Sequence, residues 1–261
     1  MQYYSGKTVW LTGASSGIGL AMAEQLAEAG AHLILTSRRA EALEEVRQRL
    51  AHPERHRVLA LDLSQPEQAA TEAQQALGDQ VIDILINNAG VSQRSLILET
   101  DLSVYRQLME IDYFAVVALT KLVLPRMLER RSGHIVTVSS VAGKVGTKLR
   151  SGYNGAKFGV LGFMDALRAE THTHQLVVTS ILPGFINTQV AHNSLTGNGS
   201  ALGHEDPDNA GGISAEECAR QSLKAIAAQK AEVVVGSGLS KLAPLLQRFW
   251  PGLVRRIVAK R

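Results

Sequence analysis

Thr12-Gly13-Ala14-Ser15-Ser16-Gly17-Ile18-Gly19 follows directly on the apolar run Lys7–Leu11. Residues without side chains let the backbone turn tightly and approach a pyrophosphate, and a helix that begins here directs its N-terminal amides toward the anion. A packing turn would explain a glycine-rich stretch on its own, so its position between a strand and a helix carries the argument. We predict a dinucleotide-phosphate turn made of Gly13, Ser15, Ser16, Gly17, Ile18 and Gly19.

The rest of the chain alternates short apolar runs with amphipathic segments. Strands are predicted at Lys7–Leu11, Ala31–Thr36, Val58–Leu61, Val81–Ile86, His134–Val138, Val177–Leu182 and Glu232–Val235, and helices at Gly17–Ala29, Ala40–Leu50, Pro66–Leu77, Ser103–Arg130, Gly152–Thr171 and Ala215–Ala228. Such alternation implies right-handed crossovers. The sequence therefore predicts an α/β protein with a single-domain Rossmann fold, in which a doubly wound parallel seven-stranded sheet carries helices on both faces.

Composition narrows the class of protein. The chain has 261 residues, 45% of them hydrophobic, and a single cysteine, Cys218. One cysteine excludes an intrachain disulfide and suits a reducing compartment. No run of eighteen apolar residues and no cleavable leader is visible, so we expect a cytoplasmic protein. No His/Cys/carboxylate spacing indicates a metal site, and no Gly-x-Ser-x-Gly turn indicates a hydrolase.

The basic charge is concentrated at the C-terminus. The chain carries a net charge of +3, but Val233–Arg261 contains six basic residues and no acidic one, so the remainder is net negative. A nucleic-acid-binding body is therefore not expected. We divide the chain into a Rossmann-fold domain over 1–238 and a basic amphipathic tail over 239–261. The tail could lie on an anionic membrane surface or pack against the body or a second subunit, and a helical period does not distinguish these.

The end of the second predicted strand bears on the choice of dinucleotide. A carboxylate there would accept hydrogen bonds from the ribose 2′-hydroxyl of NAD, but this chain has Ser37-Arg38-Arg39. The planar guanidinium group suits a phosphate. We therefore predict that Arg38, assisted by Ser37 and Arg39, binds the 2′-phosphate of NADP(H). The alternative is that both arginines are a solvated helix start.

Tyr153 and Lys157 stand one helical turn apart, with Ser140 thirteen residues before the tyrosine. A tyrosine in water titrates near ~10 and is a poor base at neutral pH. An ammonium group on the same helix face stabilises the phenolate. Tyr153 could then exchange a proton with a carbonyl or alcohol oxygen, and Ser140 could stabilise charge on that oxygen.

Together these motifs resemble the short-chain dehydrogenase/reductase family over nearly the whole chain, especially the members near 11-beta-hydroxysteroid dehydrogenase and dehydrogenase/reductase member 7B. The resemblance selects Ser140 rather than Ser139, and it implies that Lys157 also holds the nicotinamide ribose. It implies further cofactor contacts at Asp62, Leu63, Asn87, Ala89, Gly90, Pro183, Gly184, Ile186 and Thr188. The family also implies a homodimer or homotetramer.

Asp112 departs from the family pattern, which usually has asparagine at this position in the long helix. The asparagine helps to hold a helix irregularity and a water of the proton relay. An aspartate loses the amide donor and could pair with Lys157 or retune the relay. Asp112 is therefore the fourth candidate catalytic residue.

The stretch Gln189–Ile213 is a predicted substrate lid, because long structureless loops in compact domains tend to be lids or disordered. Its apolar members Val190, Leu195 and Leu202 could line a lipophilic pocket. The sequence thus predicts an NADP(H)-dependent oxidoreductase acting on a carbonyl or alcohol of a lipophilic small molecule. The alternatives are a catalytically weak NADP-binding regulatory or scaffold protein and a peripheral-membrane role centred on the tail.

Overall fold

The computed structural model describes residues 2–188, 190, 192–204 and 210–260. Seven parallel strands form one sheet in the order β3-β2-β1-β4-β5-β6-β9. They are β1 (Thr8–Thr12), β2 (His32–Thr36), β3 (Arg57–Val58), β4 (Ile84–Asn87), β5 (His134–Val138), β6 (Val177–Pro183) and β9 (Glu232–Val235). The short strands β7 (Ile186–Asn187) and β8 (Ile213–Ser214) pair with each other beside it. The predicted fold class is confirmed.

Helices cover both faces of the sheet. They are α1 (Gly17–Glu28), α2 (Ala40–Arg49), α3 (Pro66–Leu77), α4 (Leu102–Met109), α5 (Ala115–Glu129), α6 (Ser151–Thr171), α7 (Ala215–Ala227), α8 (Gly238–Phe249) and α9 (Pro251–Lys260). Side chains alternate along a strand, so Val9 and Leu11 of β1 pack with α1, α2 and α7. Trp10, between them, packs with α3, α5 and α6 on the other face. Each face of the sheet therefore has its own buried core.

Three predicted boundaries were wrong. The helix expected over Ser103–Arg130 is two helices, α4 and α5, joined by a π-helical turn at Glu110–Phe114. β3 ends at Val58 instead of Leu61, although the next segment still follows β2. β4 begins at Ile84 instead of Val81, because Val81 is exposed and lies before the sheet.

The strand order determines at which edge of the sheet a ligand is expected to bind. β1 pairs with β2 on one side and with β4 on the other, so the chain reverses its direction of travel across the sheet at β1 and β4. Ligands of doubly wound sheets bind beyond the carboxyl ends of the strands at such a switch point. The glycine-rich turn after β1 and the segment Asn87–Gly90 after β4 both lie there.

Candidate active site

The glycine-rich turn has a backbone shape that only small residues allow. Gly13 and Gly17 adopt positive φ angles of 68° and 53°. A Cβ on Gly13 would lie 2.9 Å from the Cα of Ala89, and a Cβ on Gly19 would collide with the carbonyl oxygen of Gly13. Ser16 precedes α1, and its exposed side chain makes no capping hydrogen bond within the described residues. The turn thus leaves backbone amides and a hydroxyl at the N-terminus of α1, which suits a pyrophosphate.

Thr12 and Asn88 join the turn to the end of β4, and neither was among the predicted site residues. The Thr12 hydroxyl accepts hydrogen bonds from the amides of Asn88 and Ala89, both at 3.0 Å. The Asn88 side-chain amide donates to the Thr12 carbonyl at 3.0 Å. Asn87, by contrast, is buried, and its Nδ2 has no partner in the described part of the chain. The family resemblance pointed to this segment through Asn87, Ala89 and Gly90, but the asparagine whose side chain bridges the strands is Asn88.

Ser37, Arg38 and Arg39 lie at the carboxyl end of β2. Both arginines are exposed, whereas the Ser37 hydroxyl is buried and has no hydrogen-bond partner among the described residues. Asp62 is exposed beyond β3, where its Oδ1 accepts from the amide and hydroxyl of Ser64, and Leu63 is buried beside it. Within the described residues, this end of the edge therefore offers two exposed arginines with no ion-pair partner and a hydroxyl that makes no hydrogen bond.

Ser139 and Ser140 differ in what surrounds them. The buried Ser139 hydroxyl donates to the Lys157 carbonyl at 3.1 Å. The half-buried Ser140 hydroxyl accepts from the Ala142 amide at 3.1 Å and donates to the Pro183 carbonyl at 3.3 Å. Ser139 therefore ties β5 to α6, and Ser140 lies against the segment that follows β6.

Lys157 is buried, at 4% exposure. Its Nζ donates to the Val138 carbonyl at 3.2 Å and lies 3.7 Å from Asp112 Oδ1. The same Nζ is 5.7 Å from the centre of the Tyr153 ring. A Cβ on Gly90 would lie 2.6 Å from Asp112 Oδ1 and 3.2 Å from Lys157 Nζ. Lys157 thus lies between the Asp112 carboxylate and the Tyr153 ring. It also lies close to Gly90, in the segment that follows β4.

Asp112 occupies the π-helical turn and is fully buried. Its Oδ1 accepts from the Val91 amide at 3.0 Å, and its Oδ2 has no partner within the described residues. Burial raises the pKa of Asp112 to about 6, against the opposing effects of the Lys157 charge and the Val91 amide. The group therefore titrates where a proton can be exchanged near neutral pH.

Gln93 fixes the start of the tyrosine-bearing helix and was missed by the sequence analysis. It is fully buried, and its Oε1 accepts from the amides of Gly152 at 2.7 Å and Tyr153 at 3.4 Å. Its Nε2 donates to the hydroxyls of Ser95 and Thr100. A lone glutamine in a loop gives no local sequence signal for its contact with α6, because the Gly152 and Tyr153 amides lie about sixty positions away.

The segment Pro183–Thr188 closes the edge opposite the glycine turn. A Cβ on Gly17 would touch the Thr188 side chain at 3.4 Å, so this residue lies against the start of α1. The Gly184 amide donates to the Val235 carbonyl at 2.8 Å, and a Cβ on Gly184 would lie 2.5 Å from Ser240 Oγ of α8. Ile186, between them, is buried in β7.

Part of the predicted lid packs against the site. Leu195 bridges to Gln93 and is buried with Val104 and Leu108, against which Tyr153 also packs. Val190 is exposed and Leu202 half-buried. Gln189 and the acidic Glu205, Asp206 and Asp208 lie outside the described residues. Leu195 is thus the one of the three apolar lid residues that packs beside Tyr153 in the described part of the chain.

The chain is similar to known proteins over nearly its whole length. Residues 7–199 match the short chain dehydrogenase family. Dehydrogenase/reductase SDR family member 7B of Bos taurus is 40% identical over 269 residues, covering 99% of this chain and 82% of the relative. Dehydrogenase/reductase SDR family protein 7-like of Anopheles gambiae is 39% identical over 269 residues, covering 100% and 84%.

Two solved structures share the fold. The short-chain dehydrogenase from Sphingobium yanoikuyae in complex with NADPH has a TM-score of 0.78 at 24% identity, covering 97% of this chain and 95% of that one. The short chain dehydrogenase/reductase from Burkholderia phymatum in complex with NAD has a TM-score of 0.80 at 22% identity, covering 98% and 94%. The predicted resemblance is confirmed: this chain belongs to the short-chain dehydrogenase family of oxidoreductases.

Proposed function

We propose that this protein is an NADP(H)-dependent oxidoreductase that interconverts the carbonyl and alcohol forms of a lipophilic small molecule, with reduction as the working direction. The observation that carries the proposal is Lys157, a buried cation on α6 one turn beyond Tyr153. It lies at the sheet edge that also holds the glycine turn and Ser140. Its Nζ is held 3.7 Å from Asp112 Oδ1 and 5.7 Å from the centre of the Tyr153 ring, where a positive charge would stabilise the phenolate.

The residues at this edge fit NADP(H). The glycine-rich turn would hold the pyrophosphate, since Gly13 and Gly19 pack so closely on neighbouring chain that only glycine fits and the turn leads into the N-terminus of α1. Ser37, Arg38 and Arg39 would hold the 2′-phosphate, and Asp62 and Leu63 the adenine. Backbone at Asn87, Ala89 and Gly90 would line the ribose, and Pro183, Gly184, Ile186 and Thr188 the nicotinamide. When bound, the nicotinamide supplies or accepts the hydride.

The chain's own residues would manage the proton. Tyr153 gives its hydroxyl proton to the carbonyl oxygen during reduction, or takes one from the alcohol during oxidation. Lys157 stabilises the phenolate that remains and holds the nicotinamide ribose. Ser140 donates a hydrogen bond to the substrate oxygen as charge develops there. Asp112 positions Lys157 and can accept or release a proton at its Oδ2.

We also propose assembly into a homodimer or homotetramer through the two helices nearest the site. Phe114, at the end of the π-helical turn, and Phe158, on α6, are both exposed. Large exposed aromatic side chains on neighbouring helices are typical of buried subunit contacts. Light scattering of the wild type and of Phe158→Ser tests this assembly.

The test of function is cofactor binding followed by turnover. NADPH and NADH are titrated against wild type, Arg38→Ala and the control Arg49→Ala, which removes an exposed arginine from the far end of α2. Wild type and the control are expected to prefer NADPH. Arg38→Ala is expected to bind NADPH about tenfold more weakly and to keep its affinity for NADH. Oxidation of NADPH with a panel of lipophilic ketones should then disappear in Tyr153→Phe.

The alternative is a regulatory or scaffold protein that binds NADP(H) with little catalysis, and the charged residue at position 112 favours it. NADPH binding without turnover on any ketone, and without gain of turnover in Asp112→Asn, would support this alternative. Equal affinity for NADH and NADPH in the wild type would contradict the role given to Ser37, Arg38 and Arg39.

A further inference from the structure

The two C-terminal helices expose an unusual amount of apolar surface. Along α8, Leu239, Leu242, Leu245 and Phe249 recur at helical spacing and are exposed. Trp250, at 59% exposure, follows them, and α9 adds Leu253 and Ile257. We call these seven residues the apolar face. Contiguous exposed side chains of this size mark a surface that another apolar phase covers.

The helix pair is attached to the domain by its other side. The half-buried residues Ser240, Ala243 and Gln247 of α8 point away from the apolar face by helical spacing. Ser240 contacts Gly184, and α8 packs against the turn at Val141–Gly143, just after Ser140. Val254 is buried and anchors α9. Packing against the body therefore accounts for one side of the helices and leaves the apolar face uncovered.

Basic residues accompany the apolar face. Lys241 and Arg248 on α8 and Arg255, Arg256 and Lys260 on α9 are exposed. None forms an ion pair with another residue in the described ranges, and residues 233–261 contain no acidic side chain. An apolar stripe flanked by unpaired cations fits the boundary between the headgroups and acyl chains of an anionic lipid layer.

We propose that α8 and α9 dock this protein on an anionic membrane surface, with the apolar face in the interface and the basic residues against lipid phosphates. A second copy of the chain fits the same surface less well, because a symmetric contact would bring two sets of unpaired cations together. Within the described residues no helix is long and apolar enough to cross a bilayer. The helices would therefore lie along the surface.

Docking through the apolar face would affect how a lipophilic substrate reaches the protein. A cleft of about 500 Å³ lies between Val145, Gly146 and Lys148 on one side and Gln247, Val254 and Val258 on the other. Its first wall belongs to the loop that joins Ser140 to the tyrosine-bearing helix. That volume is within the range of small-molecule sites. A lipophilic substrate dissolved in the membrane would then enter beside the catalytic residues, a step that rests on the proposed function.

The experiment uses the full chain and extruded vesicles of phosphatidylcholine, with or without phosphatidylglycerol. Sedimentation measures binding, and tryptophan emission reports the contact. Of the two tryptophans, Trp10 is fully buried and Trp250 exposed, so a blue shift, or quenching by lipids with brominated tails, reports on Trp250. We expect binding to the anionic vesicles with a blue shift, weakened by added salt.

Variants separate the contribution of the basic residues to vesicle binding from that of the apolar face. Arg248→Gln and Arg256→Gln should each weaken binding to anionic vesicles about fivefold. The double variant Leu242→Ser/Phe249→Ser should lose both binding and the blue shift. The controls Lys224→Gln on α7 and Val81→Ser before β4 change exposed residues elsewhere and should bind as the wild type does. NADPH binding by every variant verifies that the fold is intact.

Three results would overturn the docking proposal. They are no binding of wild type to anionic vesicles, equal losses in the control variants, and an oligomer in solution that dissociates on Leu242→Ser/Phe249→Ser but not on Phe158→Ser. The last would assign the apolar face to a second copy. Failure of NADPH to bind the wild type would instead count against the proposed function and leave the vesicle result valid.

Discussion

Lys157 Nζ lies 3.7 Å from Asp112 Oδ1, and both side chains are almost completely buried. A carboxylate at this distance offsets part of the charge that the ammonium group presents to Tyr153. Because burial raises the pKa of Asp112 to about 6, that offset is present above pH 6 and disappears below it. Asp112 therefore makes the strength of the lysine's influence depend on pH.

Replacing Asp112 with asparagine should remove this dependence. We expect ketone reduction by the wild type to rise as the pH falls through about 6, since neutral Asp112 leaves the full ammonium charge to assist proton donation by Tyr153. Asp112→Asn should lack that inflection and be roughly tenfold faster at pH 8, from about 1–2 kcal/mol of removed charge interaction. Single-turnover rates across pH 5–8 measure it.

Asp165→Asn provides the matched control, because it removes an exposed carboxylate from the same helix that bears Lys157. Its pH profile should overlay that of the wild type. If Asp112→Asn is slower at every pH, the carboxylate is itself needed in the proton relay, and the offset argument is incorrect.

Gln93→Leu should disturb the catalytic helix more than the cofactor site. The substitution leaves the amides of Gly152 and Tyr153 without their acceptor, which costs about 1–3 kcal/mol of stability. The measurements are urea unfolding, kcat and the Kd of NADPH. We expect a lower kcat with a nearly unchanged Kd, whereas Gln68→Leu, on the exposed side of α3, should change none of them. Equal losses in kcat and NADPH affinity would show that Gln93 supports the whole edge.

The contrast between Gly19 and Gln93 shows what the sequence could predict. Glycine spacing and strand–helix alternation are local patterns, and they correctly predicted the sheet and the position of the glycine-rich turn between β1 and α1. The roles of Gln93, Thr12 and Asn88 depend on partners far along the chain, which no periodicity reveals. The family resemblance implied an irregularity in the long helix at position 112, but the contact of the Val91 amide with Asp112 in the π-helical turn gives no local sequence signal. The predicted contacts of Arg38 remain a prediction.

Gly19→Ala should abolish dinucleotide binding, because the added Cβ would collide with the Gly13 carbonyl oxygen and the turn would have to move. Gly162→Ala is the control: it lies on α6, is exposed, and a Cβ there has open space. Alanine at that position should stabilise the helix by about 0.5–1 kcal/mol. Calorimetric titration with NADPH measures the binding, and thermal unfolding measures the stability. Normal binding by Gly19→Ala would contradict the turn geometry.

His134 should destabilise the protein as the pH falls. The side chain is buried in β5, where it contacts the hydroxyls of Tyr3 and Thr179. Burial, with a smaller effect of the Lys7 charge, lowers the pKa of His134 to about 3. The unfolded chain therefore binds a proton below about pH 6.5 that the folded chain does not. The free energy of unfolding should fall by about 2 kcal/mol between pH 7 and pH 5 from this residue.

Asp112 has the opposite effect on the free energy of unfolding between pH 7 and pH 5. Its raised pKa makes the folded chain bind the extra proton, so acidification from pH 7 to pH 5 stabilises the fold through that group. Urea unfolding is therefore compared in the Asp112→Asn background, with and without His134→Asn. Removing His134 should flatten the dependence on pH, whereas His192→Asn, at an exposed position, should leave the slope intact. An unchanged slope in the His134 variant would mean that this imidazole takes up its proton in the folded state.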